Sequence, residues 1–238
     1  EVPGVWASDH FPMVAALPLT SGCAEDDAAP AVFVHGVASG DPTPTALIIW
    51  TRVSTAPAGT SVEVVWELST DDFATIAATG TATTDDSRDF TVKVDVTGLV
   101  AGTRYAYRFT AFDETSAVGY ARLPSAGAQE QLRLGVCSCA SLAHGYFHAY
   151  RALAAQTLDA VVHLGDYIYE YGTNEYGETR PYEPAHEILT LADYRTRYSQ
   201  YRRDPDLQAV HAAHPFIVVW DDHEVADNSW RDGANNHQ

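Results

Sequence analysis

Cysteine, methionine and positive charge are all scarce in this chain of 238 residues. Three cysteines exclude a disulfide-dense scaffold. The 14 Lys and Arg stand against 32 Asp and Glu, a net charge of −18. That balance argues against binding nucleic acid or anionic lipid by general electrostatics. It suits a soluble secreted protein, or one that gathers cations. No apolar run approaches the roughly 20 residues of a membrane span. The single methionine is Met13, and the chain begins at Glu1. We read a processed precursor whose leader has been removed, and expect a secreted, extracellular location. What is present is ordinary for a folded protein: hydrophobic residues make up 46% and charged residues 19%, in a chain long enough for one large domain or two small ones.

Residues 1–30 read as an irregular N-terminal arm ending in the acidic "CAEDDAAP". From 31 to 123 the texture is all β. "TALIIWTR" (45–52), "SVEVVWELST" (61–70), "FTVKVDVTGL" (90–99) and "TRYAYRFTAF" (103–112) are rich in β-branched and aromatic residues. Turn-forming residues separate them at the spacing of a β-sandwich. "TGLVAGTRYAYRF" looks like the strand, corner and strand of a fibronectin type III-like sandwich, with Tyr105 and Tyr107 near the corner. After the Pro/Gly/Ala hinge at 122–131 the pattern changes. Short apolar strands are expected at 132–138, 158–165 and 215–220, and helices at 145–157, 190–205 and 206–213. On the second helix Leu191, Tyr194, Tyr198 and Tyr201 form the stripe expected to pack, with Arg195, Arg197, Arg202 and Arg203 solvated or paired. Continuously apolar strands alternating with helices indicate a parallel sheet covered on both faces.

Ligands of open α/β sheets sit at the carboxyl ends of the strands. Cys139 follows the first of these strands, Asp166 and Tyr169 the second, and Asp221, Asp222, His223 and Glu224 the third. Each has a plain structural reading when taken singly. Cys139 is then a small buried hydrophobe, Asp166 a turn former after Gly165, and Tyr169 one packing tyrosine among 13. His163 reads as a core histidine, and His144, His148, His211 and His214 as helix-face or capping residues. "WDDHE" is different, because two carboxylates directly after a buried strand are costly unless they bind something. Hard oxygen donors joined by a thiolate and a phenol point to a polynuclear metal centre that includes a trivalent, iron-like ion. Cys137 and Cys139, two apart, would share one face of a strand, which disfavours a mutual disulfide.

"VFVHGVASGDPTPTALIIWTRV", "GVCSCAS", "HLGDYIYEYG", "YRTRYSQYRRDPDLQAVHAAHPFIVVW" and "WDDHEVADNSW" together resemble the PhoD-type alkaline phosphatases of the calcineurin-like metallophosphoesterase superfamily. The resemblance runs from about residue 32 to the last residue. It implies a secreted phosphomonoesterase or phosphodiesterase with a fibronectin-like domain (31–123) before an αββα catalytic domain, of which 130–238 would be the N-terminal half. It implies Cys139 and Tyr169 as ligands of Fe(III), Asp166 as a carboxylate bridging metals, and Asp222 as a ligand of a second metal. Calcium ions would accompany the iron, with zinc or manganese as alternatives. His223 would contact the substrate phosphate or its leaving group, and Asn228 would orient the substrate or a metal ligand.

The family's domain continues well beyond "WDDHE", so its later ligands would come from a C-terminal chain of the same precursor. A phospholipase D-like diesterase is the alternative activity. A non-catalytic secreted binding module is the alternative of another class, but it leaves three ligand-bearing strand ends unexplained.

Overall fold

The computed structural model describes residues 31–54 and 56–235. The expected N-terminal arm, with Cys23, lies outside them. Eight strands come first: β1 (Val37–Gly40), β2 (Ala46–Arg52), β3 (Val62–Ser69), β4 (Ala78–Thr84), β5 (Thr91–Thr97), β6 (Arg104–Ala111), β7 (Glu114–Thr115) and β8 (Gly119–Arg122). Strands and helices then alternate: β9 (Leu134–Cys137), α1 (His148–Ala154), β10 (Ala160–His163), α2 (Leu191–Arg202), α3 (Pro205–Ala213) and β11 (Phe216–Val218).

Alternation decides which way each early strand faces. Leu47, Ile49 and Thr51 of β2 point inward, while Ile48, Trp50 and Arg52 occupy the other face. They meet Val64 and Leu68 of β3 and Tyr107 and Phe109 of β6 in one core. The result is a two-sheet sandwich, β5-β2-β1 against β4-β3-β6 with β7 and β8 on β6. Its corner is pinned where the Tyr105 hydroxyl accepts the Val100 N–H at 3.0 Å.

The first sheet does not stop at β1. It continues through β11, β10 and β9, making six strands that span both halves of the chain. β1 pairs with β11 in parallel at Gly40 and Phe216, and β11, β10 and β9 are parallel to one another. Side chains reinforce the join. Arg202 donates to the carbonyls of His35 (3.2 Å) and Val37 (3.3 Å), Gln208 donates to that of Val34 (2.8 Å), and His35 Nε2 lies 2.7 Å from the Ser199 hydroxyl.

Helix ends follow their local chemistry. Thr190 and Asp193 form a reciprocal capping box at the start of α2. Asp204 caps α3, with Pro205 at its first position. Of the stripe expected on α2, Tyr201 is buried and Tyr194 and Tyr198 pack against the second core, while Leu191 is 67% exposed. Arg197 and Arg202, expected to be solvated or paired, are buried on the same helix. Arg197 forms no ion pair among the described residues. Its guanidinium lies 4.0 Å from the Tyr182 ring centroid and donates to the carbonyls of Glu183, Pro184 and Tyr169. An Arg stem packs like a hydrophobe when its head can meet carbonyl oxygens.

The parallel part of the sheet is covered on one face only. Gly135, Val161 and Phe216 share a row on the side of the second core. Val136, Val162 and Ile217 share a row on the opposite side, where Val136 is 61% exposed and Ile217 40%. Covering on both faces was expected, and within the described residues it is half met.

Candidate metal centre

Three loops meet at the carboxyl ends of β9, β10 and β11, and backbone contacts lace them together. The Cys139 N–H reaches the Gly165 carbonyl at 3.2 Å, and the Ala140 N–H reaches that of Asp166 at 2.8 Å. Gly165 makes the crossing possible. Its φ is +100°, and a Cβ there would lie 2.4 Å from the Asp221 nitrogen. No other residue fits both the angle and the approach.

Asp166 follows with φ of 53°. Cys139 (57°) and Asn228 (50°) are also left-handed, so three of the sequence-predicted site residues sit in sparsely populated backbone conformations. Cys139 lies beyond the end of β9, so the strand geometry expected to align it with Cys137 does not apply. Cys137 packs on the helix-covered core, and both thiols are free.

Asp166 is buried, and donor atoms of Asp166, Asp222 and His223 all lie within 4.8 Å of one another. Tyr169 is buried beside them and donates its hydroxyl to Asp166 Oδ2 at 3.0 Å. The other oxygen, Asp166 Oδ1, is buried with no hydrogen-bond partner. Burial pushes the Asp166 carboxyl up from its ordinary range, against the pull of His223. Burial and the Asp166 charge also raise the Tyr169 phenol. The Cys139 thiol is raised chiefly by burial, opposed by Ser138 and reinforced by Asp166. Thiol, phenol and carboxyl therefore resist ionising together unless positive charge is brought in. Among the described residues no Lys or Arg forms an ion pair with Asp166 or Asp222.

Cys139 is thus close enough to Asp166 and Tyr169 to feel both, but stands outside the tight three-residue group. Asn228 is exposed. Its backbone N–H donates to Asp222 Oδ2, while its side chain turns to Asp227 at 2.9 Å. Its contact with the expected ligand Asp222 is therefore through the backbone, not the side-chain amide. His163 is the core histidine expected, held by the Tyr150 hydroxyl at 3.0 Å.

Sequence reasoning missed two supports. Glu224 accepts the N–H groups of Asp166, Tyr167 and Asp221, tying the β11 loop to the β10 loop. Glu170 returns the tie, meeting His223 Nδ1 at 2.8 Å and accepting the Asp227 N–H. Glu224 stood within "WDDHE" without an assigned role. Glu170 carried a weaker signal, an acidic residue between two tyrosines in an expected loop.

Comparison with known proteins adds the following. Residues 134–238 match the family described as PhoD-like phosphatase, and residues 19–125 match its N-terminal domain. Alkaline phosphatase D of Bacillus subtilis (strain 168) is 44% identical over 209 residues, covering 82% of this chain and 36% of that protein. A solved structure described as that of PhoD is 41% identical with a TM-score of 0.80, covering 86% of this chain and 41% of that one. The chain therefore spans well under half the length of either relative.

Proposed function

The chain belongs to the PhoD-like phosphatase family, and from that premise we propose that it carries part of the active site of a metal-dependent phosphoesterase. One observation carries this reading: the buried, partnerless Asp166 Oδ1 at the point where Asp222 and His223 converge. An orphaned carboxylate oxygen is costly in a dry site and is expected where a ligand completes it. A turn-forming Asp gains nothing from that arrangement, and neither does a plain binding module.

The donor set fits a metal. Asp166, Asp222, Tyr169 and Cys139 would hold it, and phenolate with thiolate favours Fe(III), with Ca(II) on the carboxylates. Such ions, when bound, polarise a phosphoryl oxygen and supply hydroxide near neutral pH. The chain's own residues do the rest. Asp166 and Tyr169 fix the floor of the site through their mutual hydrogen bond. His223, buried between the Tyr169 and Tyr171 rings, can hold or pass a proton at Nε2 towards a departing alcohol oxygen. Burial favours its neutral form, but the hydrogen bond and charge of Glu170, together with the charges of Asp166 and Asp222, outweigh it and raise the ring's pKa.

We further propose that 31–123 is a fibronectin III-like domain, on its strand pairing and tyrosine corner, and that 130–238 is half of an αββα catalytic domain. The open row of Val136, Val162 and Ile217 supports a covering sheet from further protein of the same precursor. A core-like junction of that kind would bury upwards of ~2,000 Å². Secretion is proposed on the acidic composition.

The test is hydrolysis of an aryl phosphate monoester beside the matching diester, by this chain produced with the remainder of a PhoD-like catalytic domain. We expect turnover that chelation abolishes and metal restores, and the ratio of the two rates assigns the ester class. Metal-loaded, folded protein without turnover on either would overturn the reading.

A further inference from the structure

Glu170 is fully buried, immediately after the proposed ligand Tyr169. Among the described residues it has no Lys or Arg partner. A buried carboxylate without a cation, among Asp166, Asp222 and Asp227, is not explained by stability. Its two oxygens have separate tasks. Oε1 accepts the Asp227 N–H at 2.6 Å, and Oε2 lies 2.8 Å from His223 Nδ1. Glu224, the other buried glutamate of the site, meets only backbone N–H groups. Of the two glutamates, Glu170 is the one hydrogen-bonded to the imidazole.

An ionised carboxylate can only accept, so the nitrogen facing it carries the proton. We propose that Glu170 is a positioning residue that locks His223 with its proton on Nδ1, making Nε2 the only working nitrogen at the Asp166–Asp222 group. The proposal rests on the phosphoesterase reading for what Nε2 works on. Two aromatic rings flank the imidazole. Tyr169 lies 4.3 Å from it between centroids, tilted by 32°, and Tyr171 lies 5.6 Å away at 54°. Carboxylate and flanking rings together set both tautomer and direction.

The chemistry of glutamine makes this testable. An amide has one acceptor oxygen, so in Glu170→Gln it cannot serve both Asp227 and His223. If the oxygen stays on the Asp227 N–H, the amide NH₂ faces Nδ1, and the imidazole proton must move to Nε2.

The experiment is ¹⁵N NMR of histidine-labelled, metal-free full-length protein at alkaline pH, with the His223 signal assigned by His223→Gln. We expect wild type to show the Nδ1–H tautomer and Glu170→Gln to gain the Nε2–H tautomer, with Glu170→Asp restoring at least part of the Nδ1–H form. In the metal-loaded enzyme Glu170→Gln should lower kcat by about 10–100-fold with KM little changed. An Nε2–H tautomer in wild type overturns the proposal, as does a Glu170→Gln variant with unchanged tautomer and kcat. If Glu170→Gln fails to fold, the wild-type tautomer decides alone. Absence of phosphoesterase activity in wild type would sink the functional reading and leave the tautomer result standing.

Discussion

The sandwich and the parallel half of this chain solve the same problem in opposite ways. In the sandwich, strands alternate, and each buries one face against the other sheet. Leu47, Ile49, Val64, Leu68, Tyr107 and Phe109 are sealed in a core made within residues 31–123. In the parallel half, β9, β10 and β11 are apolar on both faces, and the described helices cover one. The other presents Val136 and Ile217, with Trp220 71% exposed just beyond the strand end. The difference teaches where a sequence is self-sufficient. Alternating strands can be satisfied by their own neighbours, whereas continuously apolar strands announce a second cover. An exposed apolar patch of that kind marks an interaction surface.

The largest effect should come from the polar edge of the parallel half. Asp166→Asn keeps shape and removes the charge of the buried carboxylate. Metal content and turnover should fall by well over about 100-fold, beyond the usual cost of changing an outer support. The sandwich should unfold at an unchanged denaturant midpoint. Full metal content and turnover in the variant would reduce Asp166 to a turn residue and erase the contrast between the halves.

A pair of truncations sharpens the comparison next. Leu47→Ala, in the closed core, should cost about 2–5 kcal/mol by urea unfolding. Val136→Ala, on the open face, should fall within about 0.5 kcal/mol in this chain alone. It should become markedly destabilising when this chain is produced with the remainder of a PhoD-like catalytic domain. Equal costs in the two contexts would show that nothing covers that face.

A further contrast lies in pH. Burial holds His163 at a pKa of about 4, and burial with the Arg52 charge holds His35 at about 3. Unfolded, both rings protonate near pH 6.5. Between these limits the unfolded chain binds more protons, so stability must fall as pH drops from about 6.5 towards 4. Each ring adds up to about 1.4 kcal/mol per pH unit to that slope. Urea midpoints measured across this range should decline steadily, and decline less steeply in His163→Gln, where only His35 still contributes. A level wild-type profile would mean that the rings are charged in the fold.

Much of this was legible in the sequence, for a physical reason. Strand ends bearing Asp166, Asp222 and His223 are local signals, set by where an apolar run stops. The sandwich strands announced themselves by alternation. What escaped depends on contacts between distant segments. The pairing of β1 with β11 joins residues about 176 positions apart at Gly40 and Phe216, and neither strand signals it. Glu170 looked like a loop residue until folding brought His223 to it. Arg197 looked like a surface charge, because only the carbonyls of Tyr169, Glu183 and Pro184 make its burial tolerable. Asn228 reaches Asp222 through its backbone while its side chain closes on Asp227, a division of contacts that residue type alone does not reveal.

The most direct measurement is anomalous diffraction at the iron absorption edge, from crystals of this chain produced with the remainder of a PhoD-like catalytic domain. We expect a peak contacted by Asp166, Tyr169 and Cys139, with a second cation nearby on Asp222. A fully active crystal with no metal at those side chains, or with its metal held elsewhere, would contradict the reading of these three loops as part of a metal centre.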